Sequence, residues 1–261
     1  MQQRTGFYPS LIALQTILAK EIYRFMRIWS QTLLPPAITM SLYFIIFGKF
    51  IGSQLRMIDG FAYIQYIAPG LIMMSIMTNA YSNTSSSFFL TKFNKSIEEM
   101  IVSPMSSFIM LIGFMLGGMV RGILVGFIVT LIALFFTHIP VHHISIIIFM
   151  TLLSSMMFSL GGLINAIYAK RFDDISFIPT FVLTPLTYLG GVFYSIQQLP
   201  PTWQTLSLFN PVFELVDTFR YGMLGIADAN IHFGFVLVSV MFCILFGWAW
   251  YLLQKGTGIR V

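Results

Sequence analysis

Acid–base, metal or phosphate chemistry in this chain would have to come from few residues. The carboxylates of interest fall in three places: Glu98 beside Glu99, Asp173 beside Asp174, and Glu214 with Asp217, three residues before Arg220. The histidines are His138, His142, His143 and His232, and the only cysteine is Cys243. His142 and His143 lack a nearby carboxylate or thiol, so they read as a solvated loop and not as metal ligands. One cysteine inside an apolar run allows no intrachain disulfide or thiolate cluster. Phosphate chemistry is no better served. No G-x-x-x-x-G-K-[ST] loop occurs: Lys95 precedes Ser96 without either glycine, and the loop needs glycine so that backbone N–H groups can approach phosphates closely. Ser159 to Leu163 superficially resembles an ATPase signature, but it lies inside an apolar run and reads as a helix-packing site. ATP would have to bind on another chain. Nucleophile, base and ligand do not cluster inside the apolar runs, which argues against an intramembrane enzyme.

The elements that hold these residues are membrane helices. Hydrophobic residues make up 57% of the chain and charged residues 9%, against roughly 25% charged in soluble domains. Six apolar segments stand out, at about residues 32–50, 63–90, 108–136, 144–168, 177–193 and 233–253. A span needs about 20 residues, so the second and third must tilt or project beyond the hydrocarbon. Ahead of them, Leu14, Ile17, Leu18, Ile22, Phe25 and Ile28 repeat at helical spacing, with Lys20, Glu21, Arg24 and Arg27 supplying a polar side. This predicts an amphipathic helix over 9–29 that lies in the membrane interface. The apolar stretch 11–19 is short and lacks a small-residue cleavage site, so no cleavable signal is expected. Residues 195–225 are Pro-broken and largely apolar yet charged, which reads as a re-entrant hairpin. The expected fold is an all-α polytopic membrane protein with six transmembrane helices.

Charge placement orients the chain. With six spans, one side collects Arg4, Lys20, Arg24, Arg27, Lys92, Lys95, Lys170, Arg171, Lys255 and Arg260, and the other holds Lys49, Arg56 and Arg220. Ten against three predicts cytoplasmic termini. Basic residues scattered between apolar runs are a poor fit to nucleic acid.

Four candidate regions follow. The loop 91–104 is short and combines Lys92 and Lys95 with Glu98, Glu99, Ile97, Met100 and Ile101. Asn94 or Ser96 could cap a short helix that Pro104 stops. Its apolar residues could enter a groove on a soluble partner, or the helix could simply be solvated; spacing leaves both readings open. The second segment ends in a polar tract, Asn79, Ser82, Asn83, Thr84, Ser85, Ser86 and Ser87, which could line a path or bond helix to helix. Asn79, Asn83, Tyr81 and Tyr188 are the pathway candidates, although most of the 27 Phe, 11 Tyr and 4 Trp read as anchors and packing. Glu214, Asp217 and Arg220 share a helix face and could latch an outer gate or merely bury Arg220. Arg121 stands among Gly113, Gly117, Gly118, Gly122 and Gly126 and is expected to snorkel or make a packing hydrogen bond. An ion-coupled carrier or channel without an ATPase is the rival reading, and ion coupling needs carboxylates near the midplane. The six segments themselves contain none.

Glu98 and Glu99 followed by Pro104, then Gly190 and Gly191, Leu199 and Pro200, Trp203, Asn210 and Pro211, and Arg220 to Gly222, resemble the ABC-2 type export permeases over nearly the whole chain. The likeness is to compact inner-membrane permeases of Gram-negative bacteria that pair with a separate ATPase. Such a resemblance implies a homodimer of this chain in the lipid bilayer, bound to two copies of an ABC ATPase subunit. ATP and Mg would sit on that partner, with no cofactor on this chain. The helix at 94–103 would couple the two through Asn94, Ile97, Glu98, Glu99 and Met100. Residues 9–29 would be the interface helix and 195–225 the re-entrant helices. Tyr194 and Ser195 stand where many relatives have a proline close by.

Overall fold

The computed structural model describes residues 7–52, 54, 57–103 and 105–258, without the side chains of Phe7 and Lys49. Pro104, the expected helix stop, lies outside the described residues, as do Arg4, Arg56 and Arg260 of the charge argument. Among the described residues the chain is helical, with one isolated antiparallel bridge between Ile58 and Phe61.

The first helix, α1 (Phe7–Arg27), carries Arg24 and Arg27 in its last turn, where cations meet the negative end of the helix dipole. A short turn, α2 (Trp29–Thr32), follows; the Thr32 hydroxyl donates to the Phe25 carbonyl at 2.8 Å and stitches it to α1. Proline in its first turn opens α3 (Leu34–Tyr43), as suits a helix start, and α3 widens into a π-helix over Phe44–Ile51. Next come α4 (Tyr63–Phe93), α5 (Ser96–Val102), α6 (Ser107–Phe136) and α7 (Ile144–Tyr168). Then α8 (Phe172–Ile178) runs through a π-turn (Pro179–Leu183) into α9 (Thr184–Tyr188). The chain closes with α10 (Pro201–Leu208), α11 (Pro211–Leu224) and α12 (Ile231–Lys255). Asn210 and Asn230 cap the last two, accepting from Val212 and His232 N–H groups at 3.0 Å each.

Among the described residues, four helical stretches are long and apolar enough to cross a membrane: Trp29–Gly48, Ser107–Phe136, Ile144–Tyr168 and Ile231–Lys255. The other two expected segments differ for identifiable reasons. Helix α4 has 31 residues but carries the polar tract, and it lies at the centre of the bundle against α6, α7 and α11. The fifth segment begins earlier than expected, at Phe172, and Pro179 and Pro185 interrupt its regular α-helix. Only Thr187 of Phe172–Tyr188 is buried by its own chain.

Lipid is as apolar as a leucine side chain, so close backbone approach and interhelical hydrogen bonds must hold these helices together. Gly118 of α6 is pressed so close to Thr84 and Ser159 that a Cβ there would collide with both hydroxyls. The hydroxyls of Thr84 and Ser159 share a hydrogen bond at 2.6 Å, and Ser159 also donates to the Met115 carbonyl at 2.9 Å. Gly162 meets the Tyr81 carbonyl in the same way. The Ser159–Leu163 run is thus a three-helix packing site, as its position inside an apolar run implied.

Candidate functional site

At the α5 end of the bundle, α4 stops at Asn94 and Lys95 turns the chain in the left-handed region, with φ 58°. The Lys92 ammonium donates to the carbonyls of Ile167 and Ala169, both at 2.8 Å. Those are last-turn acceptors of α7 that its own helix leaves unpaired, so the root of α5 is tied to α7. Asn94, Glu98 and Glu99 are exposed, and Met100 is half-buried. Ile97 requires a correction: it does not project outward but is 2% exposed, packed in a cluster with Phe88, Phe89, Leu111 and Leu163. In a seven-residue helix only one apolar side can face the bundle. Ile97 takes that side, leaving Ile101 38% and Val102 87% exposed. Beside α5, Pro9, Ala13, Thr16, Ile17 and Lys20 of α1 face Glu99, Met100 and Ser103 across a cleft of about 420 Å³. Just beyond α7, the Lys170 and Arg171 backbone N–H groups donate to the Asp174 carboxylate at 2.8 and 2.9 Å.

In the middle of the bundle the polar tract of α4 divides between two faces. Asn79, Asn83, Thr84, Ser85 and Ser87 are buried, whereas Ser82 is exposed. Arg24 donates to the Asn83 side-chain oxygen at 2.7 Å and its carbonyl at 3.0 Å, and Arg121 donates to the Asn79 side-chain oxygen at 3.4 Å. These two asparagines therefore bond helix to helix. Tyr81 and Tyr188 come together instead. They line a cleft of about 140 Å³ with Met74, Thr78, Ser82, Thr180, Thr184 and Thr187, between α4 and the Phe172–Tyr188 segment. Glu21 also departs from expectation. It lies on the polar side of α1 by sequence, yet is wholly buried, accepting from Ser87 at 2.5 Å and pairing with Arg24 at 3.4 Å. Arg121 makes the expected packing bonds, donating also to the Thr32 carbonyl at 3.3 Å.

At the α11 end, Arg220 is 1% exposed and pairs with Asp217 at 3.5 Å. It donates to the Gly191 carbonyl, and its guanidinium carbon stands 4.1 Å from the Tyr66 ring centroid. Asp217 accepts from the backbone N–H of Asp228 at 2.9 Å and of Ala229 at 3.0 Å. Asp228, between α11 and α12, accepts from Ser195 at 2.8 Å, Ile196 N–H at 3.0 Å and the Tyr66 hydroxyl at 3.2 Å. Glu214 does not join this knot. It is 1% exposed, its Oε1 has no hydrogen-bond partner, and it faces Gly234 of α12. His142 and His143 donate their backbone N–H groups to the Gly222 carbonyl, and the His143 ring stacks on Tyr221. Among the described residues no three metal-ligating side chains converge.

This arrangement of a buried polar α4, a short exposed α5 and a stapled α11 coincides with clear kinship. The ABC-2 type transporter family matches residues 12–224. The chain is 52% identical over 249 residues to the inner membrane transport permease YadH of Escherichia coli K12, covering 95% of this chain and 97% of that protein. It is 24% identical over 199 residues to nodulation protein J of Rhizobium leguminosarum bv. viciae, covering 74% and 76%. The chain is thus a multi-pass membrane permease and belongs to the ABC-2 type transporter family.

Proposed function

We propose that this chain is the inner-membrane half of an ATP-driven exporter. Two copies assemble with two ATPase subunits that bind ATP and Mg, and this chain does no bond chemistry. Six segments cross the membrane, both termini are cytoplasmic, and α10 and α11 are the re-entrant helices near the outer face. The observation that carries the reading is the root of α5. Lys92 joins α4 to the end of α7 and Ile97 anchors the short helix in the bundle, while Glu98, Glu99, Ile101 and Val102 remain available outside. A push on α5 must then move α4 and α7 together. The moving face of α4 carries the cleft with Tyr81, Ser82, Thr180, Thr184 and Tyr188, and this is the proposed pathway. Asp217 and Arg220 hold its outer closure.

Detergent pull-down of the candidate ATPase tests this, with wild type compared with Glu98→Arg/Glu99→Arg. Recovery lost on charge reversal, in a permease of unchanged melting temperature, supports both partnership and docking surface. Recovery unchanged by the reversal moves the surface elsewhere on the permease. No ATPase even with wild type points to the ion-coupled carrier, with buried Glu214 as its first candidate acid.

A further inference from the structure

We propose that Arg24 and Arg121 form a binding site for the phosphate of an anionic phospholipid in the cytoplasmic leaflet. The leaflet rests on the orientation proposed above; the site itself rests on geometry. The two guanidinium groups bond Asn83 and Asn79, which are four residues apart and therefore neighbours on one face of α4. Two cations are thus gathered within one helical turn. Glu21 is the one carboxylate paired there, bonded to Arg24 and already engaged by Ser87. Among the described residues Arg121 has no salt-bridge partner.

What remains unpaired has one chemical character. Arg24 Nε, Arg121 Nε and Asn83 Nδ2 are buried without a partner, and Asn83 is 0% exposed. All three are donors. A site with net positive charge and surplus donors calls for a ligand that only accepts, and a phosphate matches the guanidinium fork. The arginines themselves reach the surface: the Arg24 side chain is 23% exposed and Arg121 is half-buried.

Depth and surroundings select a lipid over a free ion. Counting inward from Phe136 at 1.5 Å per residue, a hydrocarbon layer of ~30 Å ends near Gly117. Arg121 then sits one turn inside that boundary, where a long cationic side chain reaches the headgroups. Tyr23, Met26, Ile28 and Trp29, in the same stretch of chain as Arg24, are exposed apolar bodies that suit acyl chains at the aromatic belt. Basic pockets between helices on the cytoplasmic side are known holders of anionic headgroups.

The test is lipid retention and thermal shift on purified full-length permease. Wild type, Arg24→Gln, Arg121→Gln, Arg121→Lys and the distant control Lys255→Gln are each titrated with phosphatidylcholine vesicles, with or without phosphatidylglycerol, and separately with inorganic phosphate. Phosphatidylglycerol is expected to raise the wild-type and Lys255→Gln melting temperature and to be retained in native mass spectra. Each glutamine variant should retain it about tenfold less, one charge-assisted contact's worth, with Arg121→Lys in between. Equal response to the two lipid mixtures, or full retention by both glutamine variants, overturns the proposal. A full shift with phosphate alone makes the site one for a free anion, and also overturns it. If neither glutamine variant folds, wild type against Arg121→Lys decides on the same readout. None of these outcomes depends on an ATPase being present.

Discussion

Arg220 stands 4.1 Å over the ring of Tyr66, so a cation on α11 is held by an aromatic face on α4 as well as by Asp217. At 1% exposure the guanidinium has no solvent to replace either partner. Arg220→Met should destabilise the permease by about 3–5 kcal/mol, because Asp217 is left as a buried charge without its cation. Asp217→Asn/Arg220→Met should recover part of that loss. Tyr66→Leu should cost more than Tyr66→Phe, which keeps the ring. Melting of the four variants in one detergent checks the ranking, and a Tyr66→Leu protein as stable as Tyr66→Phe would refute the cation–π contact.

Asp228 should matter more than its place in a loop suggests. It gathers the Tyr66 hydroxyl, the Ser195 hydroxyl and the Ile196 N–H, while its own N–H is held by Asp217. Asp228→Ala frees three donors at once, and each unmet buried donor costs about 1–3 kcal/mol, discounted where water can reach. We expect Asp228→Ala to expose the segment 191–200 to added protease, with Asp228→Asn close to wild type. Equal cleavage of all three proteins would count against the staple.

Part of this was legible in the chain because it is local. Asp217 and Arg220 lie three apart, and helical spacing alone puts them on one face. The stripe Gly113, Gly117, Gly118 and Gly122 marked a close-packing face, and α1, α4 and α7 occupy it. Long-range pairing was not legible. Glu21 reads as a polar-face charge until Ser87, 66 positions away, is seen to bond it. The partners of Asp228 are equally remote in sequence, coming from the Ser195–Ile196 loop, α4 and α11. Ile97, Met100 and Ile101 are interchangeable in a seven-residue pattern, and only the cluster around Phe88 and Leu163 decides which turns inward.

Gly118 gives a sharp packing test. Its missing Cβ leaves room for the Thr84–Ser159 hydrogen bond. Gly118→Ala should cost about 1–3 kcal/mol by overpacking. Gly247→Ala on α12, where a Cβ meets nothing within 4 Å, should be neutral or slightly stabilising. Gly118→Ala with Thr84→Val should not rescue, because valine keeps the volume, whereas Gly118→Ala with Thr84→Ala should recover part of the loss. Thermal melts of the set are sufficient, and a Gly118→Ala protein with wild-type stability would show that the helices can separate there at little cost.

On the proposed coupling through α5, a change at Lys92 should separate docking from transmission. Its ammonium makes two 2.8 Å bonds to the end of α7, yet it stands before α5 and leaves Glu98 and Glu99 untouched. Lys92→Met should therefore leave ATPase recovery in a pull-down unchanged. It should lower the stimulation of ATP hydrolysis by the permease, because α4 can move without α7. Each bond to a helix end is worth about 1 kcal/mol in a membrane protein, so a several-fold loss of stimulation is expected, and not complete inactivation. Lys92→Arg keeps the charge and can reach one carbonyl, so it should sit between the two. The measurement is ATPase activity of the reconstituted complex alongside pull-down yield. If Lys92→Met loses the ATPase altogether, the lysine belongs to the docking surface. If both readouts match wild type, α4 and α7 move together without it, and the joint must lie in the Thr84–Ser159 and Gly162 contacts.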